Sequence, residues 1–178
     1  MQFKRRKLLA GSLASLIYSM FPARSHASQP DAMPTRILGR TGLKVSVIGY
    51  GAAQVSNPAI LRHGLEQGIN YIDTADCYLG GQNEKVVGKA VAGMRDRIII
   101  ATKVHIARES RMRRSVERSL SSLGIETVDL MQLHRVSSRD QVVRKDVKTL
   151  MRKMQQEGKF RFTAVTTHSN QIEVLEAV

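Results

Sequence analysis

The 178-residue chain has no tryptophan and a single cysteine, and aromatic residues make up only 4% of it. One thiol excludes a disulfide framework within the chain, whatever compartment it occupies. With so few aromatic side chains, and no basic stripe interleaved with them, nucleic acid is not an expected partner. Basic residues outnumber acidic ones by 28 to 15. Five of the basic residues, and no acidic one, fall in the first 27 positions, so 23 against 15 remain for the rest. Their densest cluster, Arg108, Arg111, Arg113 and Arg114, opens a helical pattern and reads as a solvated face before it reads as an anion site. No apolar run reaches the ~20 residues of a comfortable membrane span.

The N-terminus reads as an address. Lys4-Arg5-Arg6-Lys7 precedes a mildly hydrophobic stretch over residues 8–21, followed by Pro22 and the small-x-Ala pattern Ser25-His26-Ala27. The Arg5-Arg6 pair before Leu8-Leu9 resembles the twin-arginine motif, and Arg24 adds a positive charge near the cut. We expect residues 1–27 to be a signal peptide recognised by the twin-arginine export machinery. The mature part, residues 28–178, would then be periplasmic or otherwise exported, with no stable membrane span after cleavage. An ordinary secretory signal or an uncleaved anchor are the alternatives.

Beyond the leader the chain alternates short apolar runs with helical periods. A small hairpin is expected around Gly39-Arg40-Thr41-Gly42. A strand over residues 45–51 follows, then a helix over 59–67 closed by Gly68. Further strands are expected near residues 70–73, 97–103, 128–134 and 160–167, and helices over 84–91, 112–123 and 146–157, with a terminal segment over 171–178. Strict alternation argues for an α/β fold with a parallel sheet, either doubly wound or part of an eight-unit barrel. Gly49-Tyr50-Gly51 lacks the third glycine of a dinucleotide fingerprint, so the barrel is preferred.

Four residues stand at or just past the ends of these strands: Asp73, Tyr78, Lys103 and His134. Each alone is more often a cap, a salt bridge or a hydrogen-bonded structural residue. In parallel α/β folds, however, ligands bind outside the carboxyl ends of the strands. A carboxylate, a phenol, an amine and an imidazole at successive strand ends therefore suggest proton transfer. Cys77, between Asp76 and Tyr78, reads as a small residue near a pocket, with redox activity the less expected role.

Taken together, Arg36-Ile37-Leu38-Gly39-Arg40-Thr41-Gly42, Gly68-Ile69-Asn70-Tyr71-Ile72-Asp73-Thr74-Ala75-Asp76-Cys77-Tyr78, Ala101-Thr102-Lys103 and Gln132-Leu133-His134 resemble the aldo/keto reductases. The resemblance covers residues 35–178. It implies a (β/α)8 TIM barrel preceded by a hairpin at the bottom, NADPH as cofactor with NADH possible, and a small-molecule aldehyde or ketone as substrate. By analogy Tyr78 is the general acid, Lys103 and Asp73 are its tuning pair, and His134 orients the carbonyl. The chemistry asks for these types, because a carbonyl that accepts a hydride develops an alkoxide and needs a proton donor and a polarising group beside it.

For the cofactor, the resemblance points to Gly51, Asp73, Thr166 and Thr167. Gly51-Ala52-Ala53 stands where the family usually has Gly-Thr-aromatic, and Thr166-Thr167 where many members have Ser-Asn, with His168 or Asn170 as substitutes and helix capping by Ser169 or Asn170 as the competing role. About five βα units are legible, so the expectation is a partial barrel, C-terminally truncated, without the loops that clamp the cofactor's phosphates. Three readings follow: a reductase, a catalytically inactive or binding-only homologue, and, more weakly, another barrel enzyme using Lys103 as a Schiff-base lysine.

Overall fold

The computed structural model describes residues 32–178; the expected signal peptide, residues 1–27, lies outside them. A two-stranded antiparallel hairpin comes first, β1 (Thr35–Ile37) against β2 (Lys44–Ser46). Its turn is a single 3-10 loop, Gly39–Thr41, closed by Gly42 at φ 71°. Thr41 stiffens that turn by donating its hydroxyl to the Leu38 carbonyl at 2.6 Å and accepting the Leu43 N–H at 3.2 Å.

Five strands form the main sheet: β3 (Tyr50–Gly51), β4 (Tyr71–Asp73), β5 (Ile99–Val104), β6 (Val128–Leu133) and β7 (Phe160–Val165). Every neighbouring pair is parallel, and the spatial order is the chain order, β3-β4-β5-β6-β7. A doubly wound sheet reverses direction at its switch point. No reversal occurs here, so the sheet is an arc of a (β/α) barrel, as the sequence implies.

The strand expected over residues 45–51 is divided. Ser46 donates its hydroxyl to the Ile48 carbonyl at 2.7 Å, bending the chain between β2 and the two-residue β3. Asn70, at the foot of β4, holds this bend in place. Its side chain accepts the Ser46 N–H at 2.7 Å and donates to the Lys44 carbonyl at 2.9 Å, while its own N–H donates to the Ser46 hydroxyl at 3.1 Å. The hairpin is thereby stitched across the N-terminal end of the sheet.

The helices follow local signals. α1 (Pro58–Glu66) starts with Asn57 accepting the Ala59 N–H at 3.0 Å and with proline in its first turn. α2 (Asn83–Val91) and α3 (Glu109–Leu123) cover β4 and β5, and α3 stops at Gly124, φ 68°. After β6 comes a five-residue helix, α4 (Arg139–Val143), that the helical period did not reveal; Ser138 caps it. α5 (Lys145–Gln156) and α6 (Gln171–Glu176) complete the described elements.

Strand alternation divides the core in two. On β5, Ile100 and Val104 face the helices and pack with Leu61, Val87, Met112 and Val116. Ile99 and Ala101 face the other way, joining Leu43, Leu130 and the flanking Val45, Tyr71 and Phe162 in an apolar floor beside the hairpin. β5 and β6 are buried on both faces, which explains their largely apolar sequences, with the polar residues they carry paired. Each fully buried aliphatic side chain contributes about 1.5–3 kcal/mol.

One glycine permits this packing. A Cβ on Gly88 in α2 would lie 2.5 Å from the Leu123 carbonyl oxygen at the end of α3, against backbone that cannot rotate away. Gly88→Ala is therefore expected to destabilise the domain by about 1–3 kcal/mol. A urea midpoint equal to that of the parent chain would show that the two helices can separate freely.

Candidate active site

The register of the parallel strands sets the site. Asp73, the last residue of β4, pairs with Ala101, and Lys103 on β5 pairs with Gln132 on β6. Because side chains alternate, Asp73, Lys103, Gln132 and His134 share the face that carries the apolar floor lower down. The face is thus apolar at the hairpin end and polar at the carboxyl end.

Tyr78 joins them through an unusual turn. Residues Tyr78–Gly81 form a 3-10 loop in which Leu79 (φ 48°), Gly80 (φ 61°) and Gly81 (φ 88°) are all left-handed. Two glycines adopt this at little cost, whereas Leu79 costs on the order of 1–3 kcal/mol. The turn brings the Tyr78 ring to 4.6 Å from Lys103 Nζ, and its centroid to 6.1 Å from that of His134, edge to face.

Lys103 is only 3% exposed. A buried ammonium is tolerated only with full compensation. It donates to Asp73 Oδ1 and, at 2.6 Å, to the Thr74 carbonyl, and it faces the Tyr78 ring. The second Asp73 oxygen accepts from Gln132 Nε2 at 2.7 Å, so the carboxylate is held at both ends. Thr74 is fixed in turn by its hydroxyl bond to Asn83 Oδ1 at 2.7 Å, and Asn83 Nδ2 reaches back to the Ala52 and Val55 carbonyls at 2.7 and 2.9 Å. Behind β5, Thr102 donates to the buried Glu84 at 2.6 Å. Burial, the largest influence there, pushes the Glu84 carboxyl up.

His134 follows β6 directly and is 7% exposed. Burial first, then the nearby His105 and Lys103, lowers its pKa to about 4. The imidazole is therefore neutral at physiological pH, with one nitrogen donating and the other accepting. Cys77 Sγ lies 3.8 Å from His134 Nδ1, and desolvation, followed by Asp76, pushes that thiol up. His105 stacks on His134 at 4.5 Å between centroids.

All four strand-end residues named from the sequence are thus brought together. Gly51 pairs with Asp73, and the space where its Cβ would stand is open to at least 4 Å. Thr166 lies beside the end of β6, where its hydroxyl oxygen accepts the Arg135 N–H at 2.9 Å and its proton remains free to donate. Thr167 is turned away, donating to the Ser169 carbonyl at 2.5 Å. Asn170 occupies the cap position of α6 but makes no side-chain cap; it donates to the Ser137 carbonyl at 2.8 Å. From the sequence His105 was not singled out, and Gln132 was named only within the motif Gln132-Leu133-His134, without a role. The period of two would have found them, because they stand two residues from His134 and Lys103.

Comparison with known proteins agrees with the fold. The model of the aldo/keto reductase family matches residues 48–178. L-galactose dehydrogenase of Arabidopsis thaliana is 35% identical over 152 residues, covering 74% of this chain and 47% of its own length. Among solved structures, the holo form of an aldo-keto reductase from Bacillus halodurans matches with a TM-score of 0.65 and 32% identity, over 76% of this chain and 50% of that one. An aldo/keto reductase from Klebsiella pneumoniae in complex with NADP and acetate matches with a TM-score of 0.65 and 30% identity, again over 76% and 50%. The chain spans about half the length of the curated relatives it matches.

The low proton affinity of His134 has a measurable sign. Between about pH 4 and the ordinary histidine range the unfolded chain binds the proton and the folded chain does not, so this group makes the fold more stable as pH rises through that window. In a 15N-imidazole NMR titration His134 should stay neutral down to about pH 5; protonation near pH 6.5 would contradict the buried environment.

Proposed function

The chain belongs to the aldo/keto reductase family, and from that premise we propose that it serves NAD(P)H-dependent reduction of a small aldehyde or ketone to an alcohol. The observation that carries this reading is the convergence of Tyr78, Lys103, Asp73 and His134 on one strand-end face. NADPH is the proposed cofactor, NADH the alternative. The open space before Gly51 and the free Thr166 hydroxyl proton fit its nicotinamide end, whereas Thr167 is committed to its own loop. When bound, the cofactor supplies the hydride that reduces the carbonyl carbon.

The chain's own residues would supply the rest. Tyr78 gives its phenolic proton to the carbonyl oxygen as the alcohol forms. Lys103 favours that transfer, since an ammonium stabilises the negative charge left on the phenol. Asp73, braced by Gln132, keeps Lys103 charged and in place. His134, neutral, donates a hydrogen bond that orients and polarises the carbonyl. Lys103 is spent on Asp73 and the Thr74 carbonyl, which supports an electrostatic role over a Schiff-base one.

We also propose export of the protein through the twin-arginine route to the periplasm or beyond. Among the described residues no helix is long and apolar enough to cross a membrane.

Isothermal titration calorimetry of the full chain with NADPH should show binding in the micromolar range. Tyr78→Phe should lower carbonyl reduction at least about a hundredfold while leaving that binding nearly intact. Equal loss of both would remove Tyr78 from the acid role, and no binding at millimolar NADPH would favour a homologue that does not turn over. Replacing Arg5 and Arg6 together by lysine should leave the precursor in the cytoplasm; undiminished export would point to the general secretory route.

A further inference from the structure

Two side chains at the mouth of the site, Cys77 and His105, are not used by the proton-transfer scheme, and both lie beside His134, which is. Cys77 follows β4, His105 follows β5 and His134 follows β6, so three adjacent strands each present one metal-ligating group. The Cys77 sulfur and one nitrogen of each imidazole lie within 4.8 Å of one another, with Sγ to His134 Nδ1 at 3.8 Å. Ligand atoms around a tetrahedral zinc ion are about 3.3–3.6 Å apart, given bonds of ~2.0–2.3 Å. Small side-chain rotations therefore close the set.

The donor types are selective. One sulfur and two imidazole nitrogens suit zinc and its borderline neighbours, while Ca2+ and Mg2+ demand oxygen. Asp73, the carboxylate at the end of β4, has both oxygens committed to Lys103 and Gln132. Cys77 and His105 are exposed, which leaves a path for entry and a fourth position open to solvent. Lys103 and Arg135 oppose a cation here. The ion pair of Lys103 with Asp73, the carboxylate of Asp76 and the thiolate formed on binding offset them.

We propose that Cys77, His105 and His134 form a binding site for a divalent cation of the zinc type. Binding replaces the thiol proton, which leaves to solvent, and forms one metal–sulfur and two metal–nitrogen bonds. With the metal on His134 Nδ1, the remaining imidazole proton is confined to Nε2. The site shares His134 with the proposed carbonyl reduction, but it rests on the placement of its three ligands and stands whether or not that reading holds.

Cobalt(II) is the test, with the full chain and no nicotinamide present. Cys77 is the sole cysteine, so a thiolate-to-cobalt charge-transfer band in the near ultraviolet can come from it alone. The band should saturate at one equivalent, disappear in Cys77→Ser and be displaced by zinc. In His105→Ala, with an unchanged circular dichroism spectrum, the cobalt midpoint should rise at least about tenfold. No band at millimolar cobalt, or a band whose midpoint is the same in His105→Ala, would overturn the proposal.

Discussion

A buried ammonium organises the strand-end face. Lys103 is almost inaccessible to water, and an unpartnered charge there would cost several kcal/mol. Its compensation comes from one stretch of chain: the carboxylate of Asp73, the carbonyl of Thr74 and the ring of Tyr78. That requirement explains why the loop after β4 tolerates a left-handed leucine. The strain at Leu79 is smaller than the penalty of leaving Lys103 without its neighbours.

The same face shows how period-two alternation separates stability from chemistry. Ile99 and Ala101 lie in the apolar floor, and Lys103, the next residue of that parity, lies in the polar cluster. The opposite parity is anchored to the helices through Ile100, Val104 and the bond from Thr102 to Glu84. A strand held on its far side by both packing and a buried hydrogen bond is a rigid mount. Asn70 does the corresponding work at the foot of the sheet.

Much of this was legible in the sequence, because the signals were local. Apolar and β-branched runs marked β5 and β6, Gly68 marked a helix end, and four reactive side chains at strand ends marked the site. What escaped depended on through-space partners. β3 shrank to two residues because Ser46 bonds to Ile48 and Asn70, a bend that apolar patterning does not encode. α4 is too short to show a helical period. The competition for the Thr166 and Thr167 hydroxyls is decided by which backbone groups lie beside them. His105 and Gln132 were available to alternation alone, yet their significance rests on His134 and Asp73, which only the register brings within reach.

The unbroken correspondence between strand order and chain order bears on how the domain is assembled. Among the described residues each strand of the main sheet hydrogen-bonds only to its neighbours in the chain, and paired residues run from Gly51 with Asp73, 22 positions apart, to Val128 with Phe160, 32 apart. Loop-closure entropy grows only with the logarithm of that separation, so no pairing carries a much larger entropic cost than the others. The sheet can grow by adding one strand and one covering helix at a time, each addition closing a loop of similar length.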